Sequence, residues 1–224
     1  MYVAYIYILY IYMLRKLYTN TNINKTFIFS IVLYLLILYI NQWFAVNSPD
    51  MEKNQSRLYD RGFNILKPPI SSRIPDILLA TTMIYFNLRW YLTSKKILIK
   101  FIFLIKILFT MRVFIFMATE TPTPLANCDN KEGDGWNKQD IKWIFGEKEK
   151  TCIDNMFSGH AAHIVGMFLF TFMFSSYISE KIIMGMIMVA ILISLVWSRL
   201  HYTSDVAVGT CLTIGYFFVV HLFL

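Results

Sequence analysis

Three side chains in the second half of this chain have types and spacing suited to chemistry: His160, His201 and Asp205. His201 and Asp205 are four positions apart, which on a helix puts them on one face, one turn apart. A carboxylate so placed can accept the Nδ1 proton of the imidazole. The other nitrogen is then left as a nucleophile or base, and the imidazolium form is stabilised. An Asp at the edge of an apolar segment also needs a partner simply to offset its burial cost. A structural His–Asp bond that anchors the last segment is therefore the competing reading. The other histidine belongs to Phe157-Ser158-Gly159-His160. Ser158 suits a helix N-cap, and Gly159 lets a substrate come close to the backbone. The free N–H groups of a helix start favour an anion such as phosphate. Ser-Gly-His alone does not decide between this and a polar residue at a membrane boundary.

Two histidines suit phosphoryl-type transfer by a two-step route. One attacks phosphorus. The other protonates the departing oxygen and then deprotonates the incoming one. Arg112 and Arg199 are candidates for holding the phosphate oxygens, because a guanidinium fits that geometry. The alternative for each Arg is a charge that snorkels to the membrane edge.

The elements that must position these residues are apolar. Of 224 residues, 57% are hydrophobic and 16% charged, against about a quarter charged in a soluble domain. Blocks of about twenty nearly uncharged residues have the length of a bilayer crossing. Six such spans are expected, near 26–46, 74–92, 97–118, 159–178, 182–199 and 204–224. The fold class is therefore all-α, a six-span transmembrane bundle with a long polar outer loop, 119–158, between spans three and four. Residues 1–25 form a short N-terminal segment, and 26–224 the membrane domain. The apolar run 1–14 is too short to cross, so it reads as interfacial or a weak anchor. A cleaved signal peptide fits less well, since no basic start or small-residue cleavage site frames the run.

His160 and His201 are 41 residues apart, and the stretch between them is two spans joined at Ser179-Glu180-Lys181. A hairpin of that size crosses the membrane and returns. Both histidines then sit on one side at similar depth, with Asp205 a turn later. Short basic loops, 15–25, 93–96 and 179–181, alternate with the long segments 47–73 and 119–158. Charge beside the spans weighs most in orientation. Both termini are thus expected in the cytoplasm, and the long loops and the histidines on the lumenal or exoplasmic face.

The net charge of +7 is read as membrane-flanking Lys and Arg. No nucleic-acid motif is present, and no nucleic-acid partner is expected. Cys211 is expected to be packed in the last span. Cys128 and Cys152 share the polar loop, and an oxidising compartment would let them pair. His163 is read as packing near His160, and His221 as an interface residue. Trp136 and Trp143 are read as aromatic-belt residues.

At these residues the chain resembles the sphingomyelin synthase family, within the lipid phosphatases related to type 2 phosphatidic acid phosphatase. The resemblance lies in Cys152-Ile153-Asp154-Asn155-Met156-Phe157-Ser158-Gly159-His160 and in His201-Tyr202-Thr203-Ser204-Asp205-Val206. Arg112 to Pro124 and Asp60-Arg61-Gly62-Phe63 look similar too. The resemblance implies that His201 is the nucleophile, Asp205 its orienter and His160 the acid/base. It implies assistance from Asp154 and Glu120, and a substrate-side set that adds Asp60, Ser158, Gly159 and Tyr202 to the two arginines. It further implies transfer of phosphocholine or phosphoethanolamine from a glycerophospholipid to ceramide, with release of diacylglycerol, and no metal or other cofactor.

Ile153 and Ala161 depart from the family's usual Gly and Thr, which leaves subfamily and substrate open. The phosphatases of the wider group carry Lys, six residues, Arg-Pro. Here five residues separate Lys106 from Arg112 and no Pro follows, which favours transfer. Hydrolysis by the same site, as a phospholipase C-like enzyme or a lipid phosphate phosphatase, is the runner-up. A non-enzymatic membrane component is the third reading. Head group, main acceptor (ceramide or diacylglycerol), organelle (Golgi, ER or plasma membrane) and oligomeric state, including a homo-oligomer, stay open.

Overall fold

The computed structural model describes residues 23–47, 58–118, 121–122, 153–154 and 157–223. The N-terminal segment 1–22, most of the polar loop, Cys128, Cys152, Trp136 and Trp143 lie outside these residues. The helices run α1 Ile23–Asn47, α2 Arg61–Ile65, α3 Arg73–Thr93 and α4 Lys95–Ala118, then α5 Gly159–Phe174, α6 Ile178–Trp197 and α7 Thr203–Phe223. Six of them coincide with the six expected spans. One antiparallel two-residue pair, β1 Thr121–Pro122 and β2 Ile153–Asp154, is an addition to the all-α expectation. It aligns Thr121 with Asp154, so the two ends of the polar loop meet.

Three stretches are long and apolar enough to cross a membrane: Asn24–Asn41, Ile178–Trp197 and Thr203–His221. α5 is apolar but spans 16 residues, about 24 Å at 1.5 Å per residue. α3 carries its charge near its ends, at Arg73, Asp76 and Arg89, whereas α4 also carries Lys100, Lys106 and Arg112 within its length. Large apolar side chains project outward from α1 (Ile28, Val32, Leu35), α3 (Ile77, Ile84, Leu88) and α6 (Ile182, Met186, Val189). Faces of this kind suit hydrocarbon, not water.

α4 and α5 form the interior. α4 is buried from Leu98 to Phe109 apart from the half-buried Lys100, with Lys106 included at 3% exposure. α1 packs along α4, and α5 packs on α4, α6 and α7. Lipid tails are as apolar as a core, so close packing drives helix association more than burial does. Small residues at the contacts are therefore decisive. Gly166 faces Phe101 so closely that a Cβ there would stand 3.2 Å from the ring. At Gly209 of α7 a Cβ would stand 2.8 Å from the backbone oxygen of Ser158 and 3.3 Å from the Ala161 Cβ. Only glycine lets α7 lie this close to the start of α5.

Between α5 and α6 the turn comes earlier than the expected 179–181. α5 ends at Phe174 with Ser175 as its C-cap, whose backbone N–H donates to the Thr171 carbonyl. The Ser175 hydroxyl donates to the Glu180 carboxylate and accepts from the Tyr177 amide at 3.1 Å. Glu180 thereby joins the first turn of α6, where the helix dipole favours an acid. Tyr85 and Arg89 of α3 donate to the same carboxylate at 2.8 and 3.3 Å. Cys211, expected to be packed, is on the exposed face of α7. Buried positions on α7 recur every fourth residue, at Asp205, Gly209, Thr213 and Phe217, and Cys211 lies midway between two of them, on the opposite face of the helix.

Gly209→Ala tests the close approach. Its Cβ meets backbone, which cannot rotate aside, so a loss on the order of 1–3 kcal/mol is expected. Thermal melting in detergent should show a lower midpoint than wild type. An unchanged midpoint would mean that α7 has room to spare.

Candidate active site

The start of α5 is built as its sequence suggests. Ser158 has extended backbone, φ −73° and ψ 111°, and its Oγ accepts from the Ala161 amide at 3.2 Å. Ser158 is fully buried and its backbone N–H donates to the Asp205 carbonyl at 3.2 Å. This bond joins the two histidine motifs directly. Gly159 follows, and a Cβ on it would stand 3.0 Å from the Phe109 ring and 3.4 Å from Nη1 of Arg112. Arg112 thus lies at the head of α5, beside the N–H groups of its first turn.

The loop carrying His201 is equally determined. α6 ends in paired closing bonds, from the Arg199 amide to the Val196 carbonyl and from the Leu200 amide to the Leu195 carbonyl, both 3.1 Å. Arg199 takes the left-handed position, φ 58°, usually given to glycine. A side chain there costs about 1–2 kcal/mol. The guanidinium offsets this by donating through Nη2 to the Phe63 carbonyl at 2.9 Å and lying 4.3 Å from the centre of the Phe63 ring. Phe63 stacks on Tyr202 at 5.6 Å, and the Tyr202 hydroxyl accepts from the Leu58 amide at 3.2 Å.

Asp60 completes the clasp. It caps α2 through Gly62 N at 2.7 Å and accepts from the amide and hydroxyl of Thr203 at 2.6 and 2.7 Å. Asp60, Arg199 and Tyr202, singled out beforehand on the substrate side, are thus engaged in holding segment 58–66 over the His201 loop.

Asp205 is 1% exposed. Its Oδ2 accepts from the Tyr202 amide at 2.9 Å, and its Oδ1 from the Ser204 hydroxyl at 3.3 Å. The first of these is half of a capping box, in which the third helical residue reaches back to the capping residue's N–H. It fixes the backbone directly after His201.

These constraints bring the two imidazoles together. The His160 and His201 ring centres are 5.7 Å apart, with the planes inclined at 59°. His201 is buried at 6% exposure, while the His160 side chain is 30% exposed. A His160 beyond reach of His201 would have favoured the non-enzymatic reading, and the rings instead lie within contact range.

The structure adds a residue that the sequence reading passed over. His160 Nε2 lies 2.9 Å from Oδ1 of Asp76, in the first turn of α3. The signal was available, because the cost argument applied to Asp205 holds equally for an Asp at the head of an apolar span. His163, one turn along, is a packing residue. Its Nδ1 faces the Gly159 carbonyl and its Nε2 the Tyr34 hydroxyl, both at 2.8 Å. A carbonyl only accepts, so Nδ1 carries the proton and the tyrosine donates to Nε2. His221 packs between Phe174 and Phe217. Glu120 and the Asp154 side chain lie outside the described residues. Among the described residues, no group of three or more His, Cys, Asp or Glu is placed to hold a metal ion.

Residues 151–222, about a third of the chain, match the family model described as PAP2 superfamily C-terminal. The matched stretch contains His160, His201 and Asp205. That match supports the PAP2-like superfamily. With the apolar helices, it supports a membrane enzyme of the lipid phosphatase or phosphotransferase type. No curated protein matches the chain.

The clasp can be tested apart from chemistry. Asp60→Ala loses three hydrogen bonds to a charged acceptor, and a loss of roughly 1–3 kcal/mol is expected. A lowered melting midpoint supports a clasp. A raised KM for lipid donor at unchanged midpoint would point to substrate binding instead.

Proposed function

We infer that this protein is a membrane lipid phosphotransferase that moves a phosphocholine or phosphoethanolamine head group from a glycerophospholipid to ceramide. The observation that carries the reading is the pair of imidazoles 5.7 Å apart, with Arg112 beside them at the head of α5. Two imidazoles this close can both face one tetrahedral phosphodiester laid against the pair. The start of α5 and the Arg112 guanidinium supply positive potential for its oxygens. The resemblance to sphingomyelin synthases supports the substrate class.

In the first step a nitrogen of His201 attacks phosphorus. An N–P bond forms, the P–O bond to diacylglycerol breaks, and His160 gives its proton to the departing oxygen. In the second step the primary hydroxyl of ceramide attacks the phosphohistidine. Its proton passes to His160, the N–P bond breaks, and both histidines return to their starting states. Asp205 holds the His201 loop throughout and stabilises the charge that forms on His201. Six crossings of the bilayer, with the site on the lumenal or exoplasmic side of a Golgi, ER or plasma membrane, fit the alternation of loops. Such a site would meet both lipids from the same leaflet.

The test is lipid transfer by purified protein, read by mass spectrometry with defined donors, with and without ceramide. His201→Ala should lower transfer on the order of 10³-fold or more with the fold intact. His160→Ala should cost about 10²–10⁴-fold. Full activity of folded His201→Ala would sink the assignment. Free phosphocholine or phosphoethanolamine made without ceramide would show that water is the acceptor and the enzyme a hydrolase.

A further inference from the structure

We propose that Asp76 is the positioning residue that makes His160 a proton carrier. The proposal rests on the phosphotransfer reading above and extends it to a residue outside both histidine motifs and outside the matched stretch 151–222.

Asp76 and His160 are 84 positions apart and reach each other from different helices, α3 and α5. Their side chains are 29% and 30% exposed, so the pair is only partly buried. An Asp in a helix's first turn is ordinarily explained by the helix dipole. That explanation asks nothing of its side-chain direction, and here Oδ1 stands 2.9 Å from the imidazole Nε2. The His160 ring is at the same time the one that meets His201.

The bond assigns the two nitrogens. A carboxylate accepts, so Nε2 keeps its proton against Asp76, and Nδ1 is the nitrogen that gains and loses one. In the first step Nδ1–H protonates the diacylglycerol oxygen. The ring is left neutral with Nε2–H still on Asp76. In the second step Nδ1 takes the ceramide hydroxyl proton, and the imidazolium that results is held by the carboxylate. Asp76 exchanges no proton and touches no reacting atom.

A donor with a good leaving group separates this role from a structural one. Nitrophenyl esters of phosphocholine and phosphoethanolamine release nitrophenolate, which needs no general acid. In a first turnover without acceptor, the nitrophenolate burst therefore reports His201 alone and counts folded sites. Asp76→Asn should keep the burst within about twofold of wild type while lipid-to-ceramide transfer per burst site falls at least about tenfold. Because transfer is read per burst site, the ratio holds for whatever fraction folds, and Asp76→Ser supplies a second reading of it. An unchanged ratio in both variants, or burst rate and transfer falling together, overturns the proposal. Failure of the underlying reading looks different: wild type gives no burst, or His201→Ala gives the wild-type one, and both ideas then fall.

Discussion

The contact between the head of α5 and the first turn of α7 is the constraint on which the rest of the site depends. One backbone hydrogen bond, Ser158 N–H to the Asp205 carbonyl, ties the two histidine motifs together. It exists only because Gly209 presents no Cβ to the Ser158 backbone. The two imidazoles reach contact through this junction, and not through long side chains bridging a gap. In a bilayer, where burial gives helices little reason to associate, such close approaches do the positioning.

A second device holds the His201 loop from outside. A left-handed residue ends α6 and turns the chain sharply towards the site. Arg199 fills that position in place of glycine and uses its guanidinium to seize Phe63. Asp60 grips Thr203 from the same short segment. Sequence and energetics meet here: Arg199, a side chain suited to phosphate, is occupied in bracing the loop. A charged side chain at a membrane edge can serve either use, and tertiary contacts choose between them.

Two buried polar side chains also tie helices together, as the cost of an unpaired buried donor favours. His163 bridges Tyr34 of α1 to the Gly159 carbonyl, and Asn41 of α1 donates to the Phe109 carbonyl at 3.0 Å. These bonds fasten α1 to the interior pair α4 and α5. The first span thus supports the site from behind without entering it.

The sequence by itself determined where the six long helices run, because apolar blocks of bilayer length with charged ends have few other solutions. It also determined the Ser158 cap and the pairing of His160 with His201. Two apolar segments and a tight turn return the chain to the side it left. The turn was misjudged by a few residues, since only the Ser175–Glu180 bond reveals that Glu180 starts α6 instead of ending the loop. The tertiary structure alone decided which charges meet. It put Asp60 on Thr203, Arg199 on Phe63 and Asp76 on His160. Local spacing can order groups along one helix. It carries no information about which face of a helix 84 residues away will arrive against them, because that depends on close packing summed over the whole bundle.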